Sequence, residues 1–131
     1  MGIFLNDITR FVNNTIEKQD DIVRGIVSEV IESPVGLSPV VTGNFVTNWL
    51  LGIDANIPWG VTGYKNSDPD SARNQTADRL IAKIPVKASG HIYTLVNNTS
   101  YAPKLEDKYA MIGITELHLD SIVRRAITRY S

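Results

Sequence analysis

The side chains able to do acid–base or metal chemistry are few and scattered. Two histidines stand at His91 and His118, and there is no cysteine. Disulfides, thiolate nucleophiles and Cys-ligated zinc are therefore excluded. His118 lies between Glu116 and Asp120 on a stretch of helical periodicity, without ligand spacing or a third partner, and reads as a surface histidine. Glu106 and Asp107 are sequence neighbours, point apart on any regular structure, and make no acid/base pair. Asp68-Pro69-Asp70 lacks the spaced acidic ligands and glycine of a calcium loop and reads instead as a helix-capping turn. Gly60-Val61-Thr62-Gly63 lacks the lysine of a phosphate-cradling loop, and no serine is flanked by the glycines of a nucleophile elbow. Because these groups never cluster, the chain is expected not to be an enzyme and to carry no cofactor and no metal.

Composition narrows the classes further. The chain has 131 residues, enough for one domain with its own core. Its 13 basic and 14 acidic residues leave a formal charge of -1, which argues against tight nucleic-acid binding, since that rests on phosphate neutralisation. DNA passing nearby is compatible with it. The first residues show no basic-then-apolar leader, and no apolar run approaches membrane-spanning length. Assembly in a cytoplasm, away from any membrane, is the expectation. The Asn-x-Thr/Ser triplets at Asn13, Asn74, Asn97 and Asn98 are then accidents of composition.

The elements that would position these residues follow from periodicity. Ile8, Phe11, Val12, Ile16, Ile22, Val23, Ile26, Val27, Val30 and Ile31 recur at helical steps and predict one long helix over about 6–32. Asn6 or Asp7 would cap it, Asp20 would pair with Arg24, and Pro34 and Gly36 would close it. Gly25 inside it implies a bend or a closely packed neighbour. The implied length exceeds about 35 Å. Its apolar stripe could serve an internal core or, in part, face a neighbouring subunit.

After a Pro/Gly connector, Thr42 could cap a short helical turn holding Phe45 and Val46. Trp49, Leu51 and Ile53 then share a strand face, and Gly52 suggests a bulge or a close approach. Residues 55–71 read as a long loop in which Trp59 and Tyr64 either fold back or meet a partner. A middle helix capped by Ser71 or Asp70 is expected from about Ala72 to Lys83, ended by Pro85. Ile92, Thr94 and Val96 alternate with Tyr93 and Leu95, so a strand apolar on both faces should lie centrally in its sheet. Asn97 to Ser100 stops that strand, and Pro103 can open a short helical turn with Leu105 and Glu106. The last helix is expected over Gly113 to Tyr130, with Arg124, Arg125 and Arg129 suited to its C-terminal pole. Those arginines could touch phosphates or simply face solvent. The fold class expected is α+β: a small antiparallel sheet packed against a long N-terminal helix, a middle helix and a C-terminal helix. The whole forms one domain over 1–131.

Two segments carry a resemblance. Asn97-Asn98-Thr99-Ser100-Tyr101-Ala102-Pro103-Lys104-Leu105-Glu106 resembles the "Asn-Asn-x-Pro-Tyr-Ala-x-x-Leu-Glu" segment of a tailed-bacteriophage family of neck, tail-completion and minor tail proteins. Upstream, Val41-Thr42-Gly43-Asn44-Phe45 with Asn48-Trp49 is similar to that family's "Thr-Gly-x-x-(x)-x-Asn-Trp" segment. The match spans roughly Pro39 to Tyr130, with Gly113 and the closing helix in the family's order. Ser100 stands where the family usually has Pro, and Asp107-Lys108 where it has Gly.

The resemblance implies a structural virion protein of the head–tail junction, a ring-forming tail terminator or head–tail connector. The ring would be of six-fold type, with neighbouring neck, connector and tail-tube proteins as partners and DNA passing non-specifically through the lumen. It implies fold-defining roles for Thr42, Gly43, Asn48, Trp49, Asn97, Asn98, Tyr101, Ala102, Leu105 and Glu106. Tyr101, Ala102 and Leu105 would dock against Trp49 and the last helix. Glu106 would bond amides at a helix start or reach a neighbour. A ring needs two different surfaces on each subunit. Trp59 and Tyr64 in the loop, with Ile22 and Ile26 on the first helix, are the residues expected there. The competing class is a small soluble ligand-binding or regulatory α+β domain.

Overall fold

The computed structural model describes residues 3–5 and 19–130. The expected helical stretch from Asn6 to Lys18, with its capping residues, lies outside the described residues.

Among the described residues three antiparallel strands form the sheet in the order β1-β3-β2, where β1 is Ile3–Leu5, β2 is Trp49–Ile53 and β3 is Tyr93–Asn97. β3 is central, as its two-sided apolar pattern predicts, and all five of its residues are buried. In the register, Trp49 faces Asn97 and Ile53 faces Tyr93. Ile92 falls just before the strand and is exposed.

Among the described residues four helices pack around the sheet: α1 (Gln19–Leu37), α2 (Pro69–Ile81), α3 (Ala102–Tyr109) and α4 (Met111–Tyr130). α1 lies along α4 and also contacts α2. Ile22, Val23, Ile26, Val27, Val30 and Ile31 are all buried in the core with Trp49, Leu80, Leu95 and Met111. Ile22 and Ile26 therefore offer no surface to a neighbour, and the expectation that they form a subunit interface is corrected. The α1 stripe is spent on the subunit's own interior, where each buried aliphatic side chain contributes about 1.5–3 kcal/mol.

Several boundaries differ from expectation. α1 continues through Pro34 to Leu37 instead of ending near 32. A proline in the last turn forfeits a single backbone bond, and Pro34 and Val35 are both buried, which offsets it. Ser38 Oγ donates to Pro34 O at 2.7 Å and finishes the turn. Gly25 admits a side chain rather than a backbone: a Cβ there would lie 2.8 Å from the Tyr130 ring. Arg24 pairs with Asp21 at 3.8 Å, its charge also favours the Asp20 carboxylate, and it donates to the carbonyls of Pro85 and Val86. Asp20 accepts from the amide and hydroxyl of Ser89, which hold its pKa below the ordinary carboxylate value. α2 starts earlier than expected, because Asp68, rather than Ser71 or Asp70, is its cap: Asp68 Oδ2 accepts from Ser71 N at 3.0 Å, with Pro69 in the first turn. It ends at Ile81, before Lys83.

Candidate assembly surface

The two resemblance segments, distant in sequence, meet at one end of the sheet. Their junction begins with Asn97, which is fully buried beside Trp49 across the ladder. Its Nδ2 donates to Phe45 O at 2.9 Å, while its Oδ1 accepts from Thr99 N and Thr99 Oγ1 at 3.2 and 2.7 Å. A buried amide with both ends satisfied fixes two chain segments at once, and truncating it would leave buried partners unpaired. The strand-stopping turn is thus tied to the upstream segment by the very residue that ends the strand.

Aromatic packing continues the junction. Phe45 meets Trp49 edge-on at 5.7 Å between ring centroids, and Tyr101 lies against Phe45 at 6.0 Å. Tyr101 therefore reaches Trp49 through Phe45 rather than directly. The Tyr101 hydroxyl accepts from Asn44 Nδ2 at 2.5 Å. Trp49 is fully buried, and its Nε1 donates to Ser38 Oγ at 2.8 Å. Ala102 is fully buried at the start of α3, and Leu105 packs against the core. Thr42 does not cap the short 3-10 turn over Val46–Asn48; its hydroxyl accepts from Asn44 N at 3.2 Å, two residues on.

Gly43 has a specific reason to be glycine. Its φ is +82°, and a Cβ there would stand 1.8 Å from Asn66 O. Thr47 Oγ1 then lies within donor range of Gly43 O and Tyr64 O, at 2.6 and 2.9 Å, its one proton shared between the two carbonyls. The upstream segment is thereby pressed onto the far end of the long loop. Gly52 is close-packed in the same way, with Asn56 O and Pro58 Cδ both 2.8 Å from a Cβ position.

Glu106 links α3 to α4. Its Oε1 accepts from Ile112 N at 2.9 Å and its Oε2 from Gly113 N at 3.0 Å. The carboxylate thus satisfies two otherwise orphaned donors at a helix start, where the helix dipole also favours negative charge. Ala110, at φ +50°, makes the left-handed turn between the two helices.

The loop between β2 and α2 is held by the same segments. Asn98 Nδ2 donates to Pro58 O at 3.2 Å. Asn48 Oδ1 accepts from Thr62 N at 2.6 Å, and Thr62 Oγ1 donates to Thr47 O at 3.3 Å. Trp59, between these anchors, is 90% exposed. Tyr64 is half-exposed and lies under the Arg79 guanidinium, 4.4 Å from its centroid. Arg79 is itself fixed by the carbonyls of Thr47 and Trp49. So the loop is stitched to the scaffold while its largest side chain faces solvent.

Pro39, Val41, Phe45, Tyr101, Leu105 and Tyr109 surround an apolar groove of about 450 Å³. Sequence reading placed Val41 in the upstream segment but marked neither it nor Tyr109 as a surface, because nothing in periodicity shows which apolar residues stay uncovered. A second, polar cleft of about 650 Å³ lies between α1 and α4. There Arg125 reaches Glu29 at 2.6 Å and His118 lines the wall. Burial and the nearby Glu29 and Asp78 carboxylates raise the Glu32 pKa. His91 bonds Asp54 at 2.8 Å, away from His118, and Asp54 is held below the ordinary carboxylate value by His91 and the Ile92 amide. Among the described residues no helix is long and apolar enough to cross a membrane. The chain matches no family model, no curated protein and no solved structure.

Proposed function

We propose that this chain is a structural protein of a tailed-phage head–tail junction, working by self-association and making or breaking no bond. Copies close into a ring, six-fold by the resemblance, that completes the tail and joins it to the DNA-filled head. Its other partners are the adjoining neck, connector and tail-tube proteins, and its place is the virion after assembly in the host cytoplasm. The observation that carries this reading is the Trp59 loop: a large ring left in water at the tip of a segment bonded to the scaffold on both sides. Exposed aromatics on an ordered support are what association surfaces use as anchors. The anchoring residues, Asn48 and Asn98, belong to the segments that carry the resemblance. A net charge of -1 suits a lumen through which DNA slides without being gripped.

Localisation tests the proposal. Antibody labelling of particles containing this chain should mark a single collar between head and tail, and particles made without it should accumulate as separate heads and tails. Labelling elsewhere, or joined particles in its absence, would reject the role.

A second reading has one observation in its favour. The apolar groove is of the size that takes small ligands. A ligand-binding domain would hold such a molecule as a monomer or dimer, and native mass separates that from a closed ring.

A further inference from the structure

Trp59 and the groove beside Tyr101 are different in shape and alike in chemistry. Ile57, Trp59 and Val61 are all more than half exposed on one loop tip. Residues 55–64 contain no charged side chain. The bonds at Pro58 and Thr62 pin that tip on either side of Trp59. A pinned tip has little freedom left to lose when it docks. The groove offers Val41, Phe45, Tyr101, Leu105 and Tyr109 as walls, with Lys104 the one charged lining residue among the described residues. An uncharged knob entering it strands no ion, because the lysine ammonium can stay in water while its stem lies along the wall.

We infer that Trp59 of one copy inserts into the Val41/Tyr101/Tyr109 groove of the next copy. This deepens the ring reading and rests on it: the second surface is this groove, not the buried α1 stripe. Knob and groove are different surfaces, so the contact runs head to tail and can close into a ring. Its area also sets its behaviour. One aromatic tip, which buries about 150–250 Å², falls well short of the roughly 1,200–2,000 Å² of a stable pair. In a closed ring every subunit makes the contact twice. Isolated pairs are therefore weak and closed rings favoured.

Trp59→Ala keeps the groove without the knob, and Val41→Lys keeps the knob but charges the groove rim. Both positions are exposed, Val41 at 86%, so both variants should fold as the parent does. Trp49 is fully buried, so a change in tryptophan emission on assembly reports Trp59. Expected are loss of self-association in each variant alone, by sedimentation velocity, and a shift of Trp59 emission to shorter wavelength when Trp59→Ala protein is added to Val41→Lys protein in millimolar excess, the concentration needed to populate the single weak contact such a mixture can make. Rings that form equally well from either variant would overturn the groove contact and leave the ring reading standing. A parent chain that stays monomeric at every concentration would overturn both. If that monomer binds an apolar dye that Val41→Lys rejects, the groove belongs to a small ligand and the inference also falls.

Discussion

Glu106 and Gly113 are joined by a carboxylate-to-amide bond of 3.0 Å, with the Ile112 amide held by the other oxygen at 2.9 Å. One side chain on α3 thus caps α4, the helix that lies along α1. Glu106→Ala should lower stability by about 1–2 kcal/mol, the usual cost of removing a helix cap. Glu106→Gln, which keeps one acceptor, should lose less. Thermal unfolding of the two variants beside the parent checks this order, and equal losses would assign the effect to packing instead of capping.

Two glycines of nearly equal φ should respond very differently to alanine. Gly60, at +86°, has open space around its missing Cβ. Gly60→Ala carries only the left-handed backbone strain, about 1–2 kcal/mol. Gly43, at +82°, would place its Cβ 1.8 Å from Asn66 O. Gly43→Ala must push the loop off the scaffold and should cost more than about 4 kcal/mol, or prevent folding altogether. Urea unfolding of both variants measures the contrast.

Tyr93 predicts an alkaline limb in stability. It is fully buried, its hydroxyl donates to Ala88 O at 2.6 Å, and burial pushes its pKa up to about 12. In the unfolded chain a tyrosine ionises near 10. The native state therefore holds its proton longer, and its contribution is complete below about pH 10 and lost as pH climbs toward 12. The loss should approach about 2–3 kcal/mol. Tyr93→Phe should be less stable at neutral pH by about 1 kcal/mol, through the unpaired Ala88 carbonyl, and should lack this limb. At the acid end the signs reverse. The lowered carboxyls of Asp20 and Asp54 stabilise the fold above the ordinary carboxylate pKa and lose that effect as pH falls through their lowered values. Asp20→Asn should flatten the acid limb.

Much of the scaffold was legible because period and burial coincide. The two-sided apolar run at Tyr93 to Val96 could only be a central strand, and the stripe from Ile22 to Ile31 is the buried face of α1. Helix ends were less legible. Pro34 lies in the last turn of α1 because burial outweighs one lost bond, and local propensity says nothing of burial. Leu117 fits the apolar stripe of α4 by spacing yet is exposed, since spacing does not say where partners stop. At the candidate surface, the resemblance segments named Asn97, Tyr101 and Glu106, and the amides at a helix start expected for Glu106 are the ones it bonds, but the partners of Asn97 and Tyr101 were not legible. Asn97 to Phe45 O and Thr47 to Tyr64 O are long-range pairings that no local pattern encodes. The misplacement of Ile22 and Ile26 at an interface has the same origin. An amphipathic stripe reveals that a face is covered, and the fold alone reveals by what.

Self-association is the central claim, and native mass measured across concentration tests it most directly. Mass spectrometry or sedimentation of the purified chain, taken from micromolar to millimolar, should show the 14.5 kDa subunit give way to one closed oligomer of discrete mass, with scarcely any dimer between. A single species at the subunit mass over the whole range would contradict the account.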